Sequence, residues 1–303
     1  MKLNIRHETH YEYAGTVSHS VSQLCVIPRS TRTQQVLNNK LRVDPAPPEI
    51  YSWQDSFGNT QAHFNIEESH GQCVIESISL VETSTAALAT LPVNSNLHQL
   101  KDTLAIDYSD DGLLANKCLL PTQHVRRLTG SQSIVAQLSK ECDSVTAFAE
   151  QLMHWIFTEF EYDPSFSSVV TSGQKAWDAK RGVCQDFAHV ALAVLREAGI
   201  PARYVSGYLE TLPPPGEKKL QGSDASHAWF SVYSPGDGWF DFDPTNNKRP
   251  DQQYVTTAWG RDYADVAPLK GIVYGGGSQS VSVSVDVNRM DGALYMVAGE
   301  EQS

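Results

Sequence analysis

The sequence predicts an α+β fold with a β-rich N-terminal part, and three observations carry the prediction. Residues 1–85 run as short alternating stretches punctuated by turn residues. After Cys184 the apolar positions Phe187, Ala188, Ala191, Leu192, Val194, Leu195 and Ala198 recur at helical spacing. Gly199 and Pro201 then stop the helix. Residues 226–233 and 239–243 alternate on either side of Ser234-Pro235-Gly236-Asp237-Gly238, which reads as a β-hairpin.

Taken in order, Leu3-Asn4-Ile5-Arg6-His7 begins a strand that a turn at Ala14-Gly15 should break. Further strands are expected over 21–26, 41–45, 51–55, 63–67 and 73–82. Such regular short strands suggest an antiparallel sandwich or barrel. Its histidines, His7, His10, His19, His63 and His70, match no metal-ligand spacing. Residues 86–140 turn Ala-, Leu- and Ser-rich, with Pro92 and Pro121, and suggest short helices and loops. Within them Asp107-Tyr108-Ser109-Asp110-Asp111-Gly112 lacks the glutamate that closes a calcium loop and reads as a solvated turn. Residues 143–160 form a helix that Asp143 or Ser144 can cap, with Val145, Phe148, Ala149, Leu152, Trp155 and Ile156 as its apolar stripe. A strand follows at 202–210, then a long polar loop at 211–224 that should border the site. The alternating stretch 280–287 should close a sheet of the core. The expected division is a β-rich domain at 1–85, a connecting segment at 86–140 and a catalytic domain at 141–303.

The chemistry centres on Cys184. A cysteine in the first turn of a helix meets unpaired N–H groups and the positive end of the macrodipole, and both favour the thiolate. A buried structural cysteine is the competing reading. The hairpin weighs against it by supplying His227 on one face with Trp229, Ser231 and Tyr233. With the turn centred near Gly236, Asp243 lies opposite Trp229 and diagonal to His227. A shift of one residue puts it directly opposite His227. Asp241 falls nearer Ser231, which makes Asp243 the better partner for the imidazole. His189 shares the cysteine's helix but lies roughly 140° round from it, so it reads as structural. Cysteine, histidine and an orienting carboxylate are the parts of an activated thiol nucleophile.

Four blocks, Gly-Val-Cys-Gln-Asp-Phe-Ala-His, Gly-Ile-Pro-Ala-Arg-Tyr-Val-Ser-Gly-Tyr, Ser-His-Ala-Trp-Phe and Gly-Trp-Phe-Asp-Phe-Asp-Pro-Thr-Asn, resemble the bacterial transglutaminase-like superfamily. They cover roughly residues 180–247. The resemblance implies a papain-like core with Cys184 as nucleophile, His227 as its acid–base partner and Asp243 as the orienting carboxylate. It also implies a site near the segment 259–268. Tyr162 is a second oxyanion donor by the family pattern, and Tyr162 and Trp229 are assigned as substrate-binding. The reaction implied is attack on a peptide or amide bond through an acyl-enzyme, resolved by water, or by an amine in a transglutaminase proper. A non-catalytic binding module on the same core is the alternative of another class. No metal or organic cofactor is needed.

Composition narrows the partners. The chain has 303 residues, 41% of them hydrophobic, and a formal net charge of −12. That charge argues against nucleic acid and against an anionic membrane surface. The first residues show no apolar signal-peptide region, and the five scattered cysteines form no Cys-x-x-Cys pair, so the expected compartment is a reducing cytoplasm.

Overall fold

The computed structural model describes residues 1–84, 91, 96–166, 172–211 and 225–290. Five antiparallel strands open the chain: β1 (Lys2–Leu24), β2 (Gln34–Asp44), β3 (Ile50–Gln54), β4 (Thr60–Ile66) and β5 (His70–Thr83). Their order across the sheet is β2-β5-β1-β4-β3, one curled sheet with β2 and β3 at its edges. Along β1, Leu3, Ile5, His7 and Thr9 are buried and their neighbours half-exposed, the period of two that a one-sided sheet imposes. The turn expected at Ala14-Gly15 is a bend inside this one strand. The register of β1 against β5 shifts between Glu12 and Val17. Ala14 and Gly15 donate their N–H groups to the carbonyls of Ser278 and Gly276, so the bend keeps its backbone partners.

Four helices follow: α1 (Leu100–Ala105), α2 (Asp110–Cys118), α3 (Gln132–Glu141) and α4 (Val145–Glu159). The segment 107–112 does more than face solvent. Ser109 Oγ caps α2 by accepting the Gly112 N–H at 3.0 Å, and the Tyr233 hydroxyl donates to Asp107 at 2.6 Å. For α4 the cap is Ser144, whose Oγ accepts the Ala147 N–H at 3.1 Å.

The remaining elements are β6 (Glu161–Tyr162), α5 (Gly173–Ala179), β7 (Arg181–Gly182), α6 (Cys184–Glu197), β8 (Ala202–Leu209), β9 (Ala225–Ser234), β10 (Gly238–Phe242), β11 (Tyr254–Gly260), α7 (Tyr263–Val266), β12 (Leu269–Gly275) and β13 (Gln279–Arg289). A second antiparallel sheet runs β10-β9-β8-β11. α6 packs on β8 and β9 and is flanked by α3, α4 and α5. Every residue from Asp186 to Leu195 is therefore buried, where the sequence suggested a stripe. Large aliphatic or aromatic side chains such as Phe187, Leu192 and Leu195 each stabilise by roughly 1.5–3 kcal/mol when fully buried. That fixes the position of the helix N-terminus.

The stretch expected to close a sheet of the core pairs elsewhere. β13 runs antiparallel along β1, from Leu3 opposite Arg289 to Tyr13 opposite Gln279, and β12 pairs with the second half of β1. The cause is apolar: Val285 and Val287 join Leu3, Ile5 and Val81 in a cluster that also takes Tyr208 of β8 and Val255 of β11. One cluster thereby welds the two sheets together. Arg289 adds a fork of hydrogen bonds, 2.7–2.9 Å, to the buried Glu210. Among the described residues no helix is long and apolar enough to cross a membrane.

Candidate active site

Cys184 is the first residue of α6, and Val183 is its N-cap. Asp186, three residues into the chain after the cap, accepts the Val183 N–H at 2.9 Å and so closes the first turn. Gly182 is needed here for space: a Cβ on it would stand 2.7 Å from the Asp186 carboxylate. The thiol is half-buried, whereas Cys25, Cys73, Cys118 and Cys142 are buried, and all five are free. Burial raises the pKa of each of those four.

The hairpin β9–β10 brings the other two groups. Its register pairs Gly238 with Ser234 and Asp241 with Ser231, the arrangement expected for a turn centred near Gly236. Asp243 leaves β10 just past the last pair and turns back to hydrogen-bond with Lys248 through both backbone groups. His227 Nε2 lies 2.8 Å from Asp243 Oδ2. Cys184 lies close enough to the imidazole to be among the groups that raise its pKa. The structure thus brings Cys184, His227 and Asp243 together and leaves Asp241 at Ser231.

Asp243 is fully buried and its carboxylate is surrounded by donors. Oδ2 also accepts from the Tyr254 hydroxyl at 2.6 Å and from Asn246 Nδ2 at 2.7 Å. Oδ1 accepts the backbone N–H groups of Thr245 at 2.9 Å and Asn246 at 3.3 Å. Burial pushes its pKa up, but the hydrogen bonds and charge of His227, with Tyr254 and Asn246, outweigh this and hold it below the usual carboxylate value. His227 shows the mirror image. Burial disfavours its charge, yet hydrogen bonds and attraction from Asp243 and Cys184 push its pKa up to about 10. The imidazolium is therefore the resting form at neutral pH.

Sequence reasoning missed Tyr254 and Asn246. Asn246 sits in the turn after Pro244 and was within reach of turn chemistry as a signal. Tyr254 reaches Asp243 only because β11 pairs with β8, and no local pattern announces that.

The other expected site residues divide. Tyr162 is 53% exposed and stands edge-on to Phe187 at 6.3 Å, on the β6 strand that pairs with β7 just ahead of Cys184. Burial, with the nearby Cys184, raises its hydroxyl pKa. Trp229, expected to bind substrate, is fully buried. It lies under His227 at 6.1 Å between ring centres and edge-on to Tyr254 at 5.4 Å. It also fills the space opposite Gly207, where a Cβ would come within 2.6 Å of the indole. Its role is to floor the imidazole. His189 is buried in α6 away from the thiol, stacked on His124 at 5.4 Å, and burial drives its pKa down to about 3. Its neutral ring accepts the Tyr263 N–H, which is where the 259–268 segment meets the helix. Most of the long loop, 212–224, lies outside the described residues. Among the described residues no group of three or more His, Cys, Asp or Glu side chains is placed to hold a metal ion.

Residues 132–244 match the profile of the transglutaminase-like superfamily, and residues 3–82 match that of the bacterial transglutaminase-like N-terminal region. An uncharacterized protein of Mycobacterium tuberculosis is 34% identical over 296 residues, spanning 96% of this chain and 94% of its own. A protein-glutamine gamma-glutamyltransferase of Pseudomonas aeruginosa is 37% identical over 105 residues, 33% of this chain and 16% of that protein. The crystal structure of a candidate cysteine protease from Cytophaga hutchinsonii superposes with a TM-score of 0.71 at 24% identity, covering 97% of this chain and 92% of that one.

Proposed function

Because this chain belongs to the transglutaminase-like superfamily, we propose that it is a thiol-nucleophile enzyme that hydrolyses peptide or other amide bonds through Cys184, His227 and Asp243. The observation that supports this most is the chain of contacts from a helix-start thiol through His227 to a buried, fully hydrogen-bonded carboxylate. The Cys184 thiolate attacks the carbonyl carbon and forms a C–S bond. The oxyanion is held by the Cys184 N–H at the start of α6, with Tyr162 as the second donor. His227 gives its proton to the leaving nitrogen, the C–N bond breaks and a thioester remains. The now neutral His227 takes a proton from water, the hydroxide adds to the thioester, and the C–S bond breaks to restore the ion pair. Asp243 keeps the imidazole oriented and its charge stabilised throughout. Amine transfer is the second reading, favoured by the likeness to the glutamyltransferase; a primary amine then replaces water in the last half. The proposed workplace is the cytoplasm, where five unpaired cysteines would stay reduced. The partners are peptide or amide substrates rather than nucleic acid or membrane.

Iodoacetamide at mildly acidic pH should alkylate Cys184 far faster than Cys25, Cys73, Cys118 or Cys142, because it alone pairs with an imidazolium. Peptide mapping by mass spectrometry reads this out, and an unreactive Cys184 would favour the binding-module reading. A library of peptide amides, incubated with and without a primary amine, then separates the two fates of the acyl-enzyme. Hydrolysed product should dominate in both arms, and predominant amide exchange would establish the transferase.

A further inference from the structure

A cavity lies at the far end of α6, roughly 14–20 Å along the helix from Cys184 by the rise per residue. Its volume is about 530 Å³, inside the range of small-molecule sites, roughly 300–1,000 Å³. Its walls come from α3, from α6 and from the chain between α2 and α3. Leu119, Val125, Val135 and Ala193 make them apolar, and Arg126 and Arg196 bring positive charge.

That charge is only partly balanced: Asp262 and Asp265 act on Arg196. Glu197, also in the cavity wall, is engaged by Arg127 at 2.9 Å and by the Ser131 hydroxyl. Among the described residues the hydrogen bonds of Arg196 go to carbonyl oxygens, those of Leu120, Ala202 and Arg261. Its Nε–H is buried without an acceptor among the described residues, a costly state for a donor on a charged group. Burial lowers the Arg196 pKa only to about 10, so the guanidinium stays charged at neutral pH. Arg126 is exposed at the rim and makes no ion pair among the described residues. An exposed guanidinium without an ion pair among the described residues, Arg126, beside an apolar wall and a second guanidinium that is hydrogen-bonded only to carbonyl oxygens among the described residues, in a chain of net charge −12, asks for one negative head and an apolar tail.

We propose that this cavity binds a small amphipathic carboxylate, its head between Arg126 and Arg196 and its tail on Leu119, Val125, Val135 and Ala193. The site is separate from the reacting thiol and does not depend on the reaction assigned to it.

Decanoate and its uncharged counterpart decanol test the idea on the full chain, each by displacement of 8-anilinonaphthalene-1-sulfonate fluorescence. Decanoate should displace the dye saturably, and decanol should bind about tenfold more weakly, the loss expected of a charge-assisted hydrogen bond. Arg126→Glu should weaken decanoate by about tenfold or more and leave decanol unchanged. Ala136→Trp, at an exposed position on the cavity wall, should block both. Cys184 alkylation at the wild-type rate shows that each variant is folded. Equal binding of decanoate and decanol, unsaturable displacement, or wild-type affinity in Arg126→Glu would overturn the proposal.

Discussion

Asp243→Asn should keep the fold and lower turnover by roughly tenfold to ten-thousandfold, the span seen when an orienting carboxylate is neutralised. Asparagine can still accept from Thr245 through Oδ1, but an amide nitrogen in the place of Oδ2 no longer accepts from Tyr254 and no longer stabilises an imidazolium. The pH dependence gives a second readout that a purely structural role would not move. His227 has a folded-state pKa raised from 6.5 to about 10. Its charge therefore contributes stability that is fully present below pH 6.5 and is lost as pH rises through about 10. Without Asp243 that loss should begin at lower pH, and alkylation of Cys184 at mildly acidic pH should slow because the imidazolium that favours the thiolate there is weakened. Denaturant midpoints and alkylation rates, both taken across pH 6–10, measure it. Asp241→Asn is the control. Asp241 is half-buried opposite Ser231, and its replacement should leave the His227 profile in place. If Asp241→Asn were the more damaging change with both proteins folded, the assignment of Asp243 would fall.

Trp229→Ala should destabilise the protein by about 3–5 kcal/mol, the usual cost of truncating a fully buried large aromatic. At roughly 2–4 °C per kcal/mol for a domain of this size, the melting temperature should drop by about 10 °C. The indole has no exposed surface, so the expected effect runs through His227. Activity should fall through kcat, as His227 loses its floor, with KM little changed. A raised KM at unchanged stability would return Trp229 to the substrate-binding role that its place on the His227 face suggested.

The proposed triad was legible because each member belongs to a local pattern. Cys184 opens a helix whose apolar spacing is unmistakable, and His227 and Asp243 sit at fixed distances from one Gly-rich turn, so hairpin parity alone narrows their geometry. What stayed hidden depends on contacts between distant segments. Trp229 and His227 share a strand face, but only the packing of β8 and β11 around the indole decides that one is buried and the other reaches the thiol. Tyr254 and β13 are the same case. The strand pattern at 280–287 was plain, yet the choice of β1 over the core sheet rests on a cluster drawn from residues near both ends of the sequence. The bend at Ala14-Gly15 looked like a turn for the same reason, since the backbone groups that let the strand continue come from residues 276–278.

The pairing of β1 with β13 also sets a timetable for folding. The first strand leaves the ribosome early, but one of its edges has no partner until residues near 289 have been made. Contacts of such sequence separation close late and slowly. In the interval the nascent chain presents an unpaired edge and the uncovered side chains of Leu3 and Ile5, the kind of surface on which misassembly begins. The β13 residues that complete the join between the two sheets thus arrive after the other strands of both, and the finished core waits on them.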